Sequence, residues 1–153
     1  LKELEKENYY NIRGNIFLAL GKYQQAMNDF DKCIQINSYF PFAYVNRAVA
    51  KINLANKISM TSYSIRGGIN NQTFNANWTL PLKTSVKKSD SNIISALSDC
   101  NKAIEIEPKL DFAYYIRGQI KKMLIYGDYC YDLLKAKELG YPVEIELLND
   151  CGK

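Results

Sequence analysis

Apolar side chains recur at intervals of three and four residues along most of the chain, which is the spacing of amphipathic helices. In segment 23–36, for example, Ala26, Phe30 and Cys33 fall on one helical face. Six helices are predicted, over residues 8–20, 23–36, 41–55, 93–106, 110–126 and 128–139. Gly21 ends the first of them and Pro41 begins the third, because glycine favours helix C-termini and proline favours the first turn of a helix. The chain is therefore predicted to be mainly α-helical.

The helical pattern repeats with a period of 34 residues. The recurring motif is a tyrosine, an arginine three residues later, and then a small residue. Its three copies are Tyr10-x-x-Arg13-Gly14, Tyr44-x-x-Arg47-Ala48 and Tyr114-x-x-Arg117-Gly118. The second half of the unit recurs as well, from Ala26 to Ile36 and from Ala96 to Ile106. A fixed period of this length indicates stacked helical hairpins.

The second repeat is interrupted by 36 residues relative to this period. The inserted segment, 56–91, is rich in Ser, Thr, Asn and Gly. Residues 61–65 and 74–82 alternate between apolar and polar side chains, and Trp78 lies in the second of these runs. That alternation is typical of β-strands, and 66–71 supplies turn residues between them. A small β-hairpin is predicted here, followed by a basic tail through Lys88.

Length and charge narrow the classes of protein. The 153 residues fit one domain with a continuous core, and no apolar run approaches the ~20 residues that span a bilayer. The chain opens on Leu1 and lacks an initiator Met, so we expect a fragment or a processed form. The net charge of +4 comes largely from a modest basic cluster in the insertion, which disfavours a nucleic-acid-binding module.

The residues of catalysis and metal binding are sparse. The chain has no histidine, no clustered nucleophile and base, and no phosphate-binding loop, so neither an enzyme nor a cofactor or metal site is predicted. Cys33 and Cys100 fall on predicted core positions and are interpreted as buried, inert thiols. Cys130 and Cys151 meet only if the last helix folds back, so a disulfide between them stays open. The compartment is not predicted.

These motifs resemble the tetratricopeptide repeat. The family's pattern of large and small residues is matched by Tyr10, Gly14, Phe17, Ala26, Phe30 and Cys33 in the first repeat, by Tyr44, Ala48, Ala96, Cys100, Ala103 and Pro108 in the second, and by Tyr114 and Gly118 in the third. Ser38 replaces the family's proline in the first repeat, and the third repeat departs from the pattern after Gly118. The resemblance implies an α-solenoid of three antiparallel helix hairpins with a C-terminal capping helix.

The chain is then one domain, 1–153, with its parts in a fixed order. Repeat one covers 7–40, repeat two covers 41–55 and 92–108 around the insertion 56–91, repeat three covers 111–140, and the capping helix covers 142–151. Each repeat also places an arginine opposite an aspartate on the facing helix. Because these pairs recur in all three repeats, we interpret them as structural ion pairs and not as ligand-binding arginines.

The resemblance implies a peptide-binding concave groove lined by the first helix of each hairpin. Seven predicted groove residues, called the groove set below, are Asn11, Asn15, Val45, Asn46, Val49, Tyr115 and Gln119. We expect its asparagines to face solvent in the free protein. Family members that hold the carboxylates of heat-shock chaperones use lysines, an arginine and asparagines in this groove, and Asn15 and Asn46 fit that pattern. Asn11, Phe112 and Ile116 stand where the cations are expected, so that specificity is disfavoured.

The sequence therefore predicts a non-enzymatic protein–protein interaction scaffold that binds a peptide or protein partner in the concave groove. The alternative is self-association, or ligand binding, through the insertion 56–91. Trp78 is the candidate contact there, although its favoured role is to anchor the hairpin against the helices. A nucleic-acid-binding module ranks below both.

Overall fold

The computed structural model describes residues 3–56, 68–69, 72–73 and 91–151. Seven helices lie in these ranges: α1 (Glu3–Ala19), α2 (Tyr23–Ile36), α3 (Pro41–Asn56), α4 (Ser91–Ile106), α5 (Asp111–Met123), α6 (Tyr129–Glu138) and α7 (Ile145–Leu148). Two short strands, β1 (Gly68–Ile69) and β2 (Gln72–Thr73), pair antiparallel between α3 and α4 in the sequence. The described chain is otherwise helical, as predicted.

The helices pack as three successive hairpins. Helix α1 packs on α2, α3 on α4, and α5 on α6, while α2–α3 and α4–α5 contacts stack one hairpin on the next. Helix α3 also contacts both α1 and α5, so the first helices of the three hairpins adjoin in a row. The predicted α-solenoid is confirmed, with α7 packed against α6 at its C-terminal end.

Small residues set the distance between the helices of a hairpin. A Cβ atom at Gly14 would lie only 2.6 Å from Cε1 of Phe30, and one at Gly118 would lie 2.9 Å from Cδ2 of Leu133. Both distances are far below the 3.5–4.0 Å of ordinary carbon contacts. The recurring small residue of the motif is therefore required by the close approach of the facing helix.

Three helices end with a residue in the left-handed conformation, and one of these residues is not glycine. Gly21 has a φ of 70° and Gly140 has a φ of 102°, which glycine adopts without steric cost. Ile125 occupies the equivalent place after α5 with a φ of 58°. The N–H of Tyr126 bonds the carbonyl of Lys121 there, as the N–H of Lys22 bonds that of Phe17 after Gly21. The predicted helix 110–126 continues through this position, so the sequence did not indicate this use of isoleucine.

The C-terminal helix is shorter than the predicted 142–151. Helix α7 has four residues, and Glu144 before it is extended, with φ −63° and ψ 137°. The N–H of Val143 bonds the carbonyl of Tyr141, which makes a tight turn where the first helical turn was expected. This extended approach places Tyr141 against the core, where only 7% of its surface is exposed.

The insertion is described only at its strand pair. Gly68 pairs with Thr73 and Ile69 pairs with Gln72, so the chain reverses direction between them. Gly68, predicted as a turn residue, is paired in β1. The predicted strands 61–65 and 74–82, with Trp78, lie outside the described residues.

Candidate functional site

The groove set lies on the first helices of the three hairpins, α1, α3 and α5. All seven residues are buried, with exposed fractions of 5% or less: Asn11 1%, Asn15 5%, Val45 0%, Asn46 2%, Val49 2%, Tyr115 1% and Gln119 2%. The expectation that the asparagines face solvent in the free protein is therefore wrong. One physical reason is that the first helices contact each other directly, so side chains between them are enclosed.

A hydrogen bond joins the groove-set residues of α1 to those of α3. Nδ2 of Asn46 on α3 donates to Oδ1 of Asn11 on α1 over 3.2 Å, and both residues are buried. A buried amide that finds no partner costs roughly 1–3 kcal/mol, so this bond fixes how the two helices meet. Asn11 and Asn46 thus contribute to the contact between repeats.

Three buried amide oxygens in the described part of the chain have no hydrogen-bond partner. They are Oδ1 of Asn15 on α1, Oδ1 of Asn53 on α3 and Oε1 of Gln119 on α5. Asn53 uses its Nδ2 group to bond the carbonyl of Val49 over 2.8 Å, which leaves its oxygen free. Each first helix therefore carries one buried acceptor that lacks a donor. Sequence reasoning missed Asn53, although its place four residues after Val49 puts it on the same helical face.

At the α5 end, the C-terminal residues cover the groove set. The ring of Tyr141 stacks on that of Tyr115 with 4.2 Å between centroids, and on that of Phe112 with 5.8 Å. The hydroxyl of Tyr115 donates to Oε2 of Glu144 over 3.1 Å. Burial, followed by the nearby Glu144 carboxylate, raises the pKa of Tyr115 well above its ordinary value. Tyr141 and Glu144 lie beyond the repeat motif, so no signal in the sequence indicated this contact.

Two described lysines on the first helices are bound to carboxylates. Lys51 lies 2.7 Å from Asp99, and Lys121 lies 3.0 Å from Asp132. At the three positions where the resemblance led us to expect cations, this chain has Asn11, Phe112 and Ile116, which are 1%, 1% and 0% exposed. These groups therefore offer no free cation to the carboxylates of an acidic peptide. Lys122 on α5 differs from them, because it is 25% exposed and lies 3.7 Å from Asp150.

The recurring arginines form ion pairs between the helices of each hairpin. Nε and Nη2 of each arginine donate to the two carboxylate oxygens of its aspartate over 2.6–3.0 Å, in the pairs Arg13–Asp29, Arg47–Asp99 and Arg117–Asp132. Arg47 and Arg117 use Nη1 to bond the preceding repeat, at Asp31 and at Asn101. The interpretation as structural ion pairs is confirmed.

The remaining chemistry of the described residues is limited. No group of three or more His, Cys, Asp or Glu residues among them could hold a metal ion. None of the described helices combines the length and the apolar character needed to cross a membrane.

Burial raises the pKa of Cys33 to about 12 and that of Cys100 further, so these two thiols are protonated and inert. Cys130 and Cys151 form a disulfide, which resolves the alternative that the sequence left open.

Comparison with known proteins identifies the class. Residues 8–40 match the family model described as Tetratricopeptide repeat, and no curated protein matches significantly. The first such domain of Spaghetti (RPAP3), bound to HSP90 peptide SRMEEVD, is 22% identical with a TM-score of 0.66, over 95% of this chain and 89% of that one. The second such domain of human RPAP3, in complex with HSP70 peptide SGPTIEEVD, is 18% identical with a TM-score of 0.68, over 99% and 98%. The Arabidopsis OM64 domain is 21% identical with a TM-score of 0.63, over 90% and 85%.

These structural likenesses show the fold, and the family match falls on the first predicted repeat. Residues 8–40 therefore match the tetratricopeptide repeat, and the described chain has the fold of tetratricopeptide-repeat domains.

Proposed function

We propose that the chain is a non-enzymatic interaction scaffold that binds an extended segment of a partner protein in a concave groove along α1, α3 and α5. The fold supports this, because structurally similar domains are described as bound to HSP90 and HSP70 peptides. Such scaffolds recognise partners by complementary surfaces, and the described residues offer no arrangement typical of catalysis.

The observation that carries the proposal is the set of three unpartnered amide oxygens. Asn15, Asn53 and Gln119 present one buried acceptor each on the three successive first helices. An extended peptide carries backbone N–H donors at regular intervals, which suits a row of acceptors. The three oxygens are enclosed in the free protein, so a peptide N–H reaches them only when the side chains that cover them move. Satisfying an unpaired buried oxygen then removes a cost of about 1–3 kcal/mol, which offsets the cost of that movement.

The described surroundings support a neutral or basic peptide over an acidic one. Both chaperone peptides named above end in the acidic sequence EEVD. Beside the groove set, Lys51 and Lys121 are bound to aspartates, and Phe112 and Ile116 replace the cations that would hold carboxylates. We therefore expect SRMEEVD to bind at least tenfold more weakly than a peptide selected on this protein.

Selection from a random heptapeptide library tests the function. The recovered peptide is titrated by fluorescence anisotropy against the native chain, Asn15→Ala and the control Asn28→Ala, whose side chain is exposed on α2. Asn15→Ala should weaken binding at least tenfold while leaving the free energy of unfolding unchanged or higher, because its oxygen bonds nothing in the free protein. Asn28→Ala should change neither quantity.

Two results would contradict the proposal. If no peptide is enriched over a blank surface, the chain does not recognise short extended segments. If a peptide is enriched but binds the native protein and Asn15→Ala equally, recognition occurs elsewhere, and the insertion 56–91 becomes the next region to test.

A further inference from the structure

The C-terminal residues 140–151, called the C-terminal cover below, lie against the α5 end of the groove set. Tyr141 stacks on Tyr115 and Phe112, and Glu144 accepts a hydrogen bond from the hydroxyl of Tyr115. As a result, Tyr115 and Phe112 are each only 1% exposed. A partner can reach these two rings only after the C-terminal cover has moved.

The C-terminal cover is weakly held by its own packing. Helix α7 has four residues and none of them is buried, and Ile145 is 72% exposed. A helix this short is not stable by itself. The ion pair of Lys122 with Asp150 is long, at 3.7 Å, and Asp150 is 61% exposed, so it contributes little.

A disulfide provides the strong connection. Cys151 at the end of the C-terminal cover is bonded to Cys130 in the first turn of α6, with 5.3 Å between the two Cα atoms. The bond closes a loop over a sequence separation of 21 residues and so restricts the freedom of everything between its ends. Without it, the C-terminal cover is held by the Tyr141 stack, by the hydrogen bond from the N–H of Tyr141 to the carbonyl of Ala136, and by the Glu144 hydrogen bond. The partly buried side chains of Val143, Leu147 and Leu148 and the long Lys122–Asp150 pair add to these.

This disulfide is also the cysteine site that a reagent can reach. Cys130 and Cys151 are both partly exposed, whereas Cys33 and Cys100 are fully buried and their pKa values are raised by that burial. Thiol–disulfide exchange requires access to a sulfur atom and a thiolate. Reduction therefore acts at the Cys130–Cys151 bond, which holds the end of the C-terminal cover, and leaves the core thiols unchanged.

We propose that the Cys130–Cys151 disulfide is a redox-sensitive tether, and that its reduction releases the C-terminal cover and opens the α5 end of the groove to a partner. The effect on partner binding rests on the proposed function, while the release itself does not. In the reaction, a thiolate of a dithiol attacks one sulfur, and the second thiol of the dithiol then displaces the protein from the mixed disulfide. Cys130 and Cys151 gain two electrons and two protons as thiols, and the dithiol becomes a cyclic disulfide.

Hydrogen exchange measured by mass spectrometry tests the release. The native chain is compared before and after treatment with dithiothreitol, alongside a Cys130→Ser/Cys151→Ser variant that needs no reductant. Amides of 145–151 should exchange at least tenfold faster in the reduced protein and in the double variant, while α1 to α4 keep their protection. Equal exchange in both redox states would overturn the tether. Loss of protection throughout α1 to α4 would also overturn it, because the disulfide would then stabilise the whole fold and not the C-terminal cover alone.

Binding of the selected heptapeptide tests the regulation. Its Kd should fall at least tenfold on reduction, and Tyr141→Ala should produce a similar fall with the disulfide intact, since it removes the stack on Tyr115. An unchanged Kd together with faster exchange would overturn the regulation and leave the proposed function standing. Faster exchange with no peptide bound in either state would mean that the proposed function, and the regulation with it, fails.

Discussion

The closest approach between helices offers the sharpest test of the repeat architecture. Replacing Gly14 with alanine adds a Cβ atom 2.6 Å from Cε1 and 3.0 Å from Cδ1 of Phe30. Since carbon atoms prefer 3.5–4.0 Å, the ring must move by roughly 1 Å. Phe30 is fully buried, so this movement strains a packed core at a cost of about 1–3 kcal/mol.

An opposing term must be subtracted from that cost. Alanine is favoured over glycine in a helix interior by about 0.5–1 kcal/mol, because glycine loses more conformational freedom on folding. Because a contact of 2.6 Å falls in the upper part of that strain range, about 2–3 kcal/mol, Gly14→Ala should lower the free energy of unfolding by about 1–2.5 kcal/mol. This corresponds to roughly 2–10 °C in Tm for a chain of this size. Gly14→Leu should cost more, about 2–4 kcal/mol, because a larger side chain cannot be accommodated by a ring movement alone.

Two other glycines provide matched comparisons. A Cβ atom at Gly127 would meet nothing within 4 Å, so Gly127→Ala should be neutral or stabilise by up to about 1 kcal/mol. Gly118→Ala should also destabilise, because its Cβ would meet Cδ2 and Cγ of the fully buried Leu133 at 2.9 and 3.0 Å, and Cβ of Asp132 at 3.3 Å. Urea unfolding followed by circular dichroism measures all of these variants. A Gly14→Ala protein as stable as the native one would refute the reasoning about close approach.

Four further substitutions test the buried polar groups and the strained turn. Asp132→Asn should destabilise by about 3 kcal/mol or more, because its fully buried carboxylate pairs with Arg117; Asp29→Asn should cost about 1 kcal/mol, since its arginine is 37% exposed. Equal losses in urea unfolding would contradict this ranking. Ile125→Gly should raise the midpoint of urea unfolding, by about 1 kcal/mol of stability, since an isoleucine at φ 58° is strained and its side chain is 77% exposed. A lower midpoint would show that the isoleucine contributes packing. Asn46→Ala should cost about 1 kcal/mol through loss of its buried hydrogen bond, and unchanged thermal unfolding would contradict that bond.

The features that recur were predictable from the sequence. Tyr10, Gly14 and Phe30 have counterparts at the repeat period, and a helical hairpin with this spacing buries one continuous face. The pairing of Arg13 with Asp29 followed for the same reason, because its equivalent appears in every unit. Repetition gave each of these predictions more than one independent observation.

The features that occur once were not predictable. The stacking of Tyr141 on Tyr115 depends on how the chain leaves α6, and the left-handed conformation of Ile125 is one that β-branched residues rarely adopt. Predicting the disulfide requires the distance between Cys130 and Cys151 in the fold, which their spacing in the sequence does not supply. Burial of Asn46 was missed because the resemblance describes an open groove, whereas here adjoining first helices enclose that side chain.

The most direct test of the central claim is a titration of the ¹⁵N-labelled protein with the selected heptapeptide, followed by NMR. The side-chain amide signals of Asn15, Asn53 and Gln119 are the reporters, because their oxygens lack partners in the free protein. Binding along the first helices predicts that all three signals shift together, with one saturation curve. Unchanged signals from these three amides, with shifts confined to the indole of Trp78 and its neighbours, would contradict the account and place recognition in the insertion.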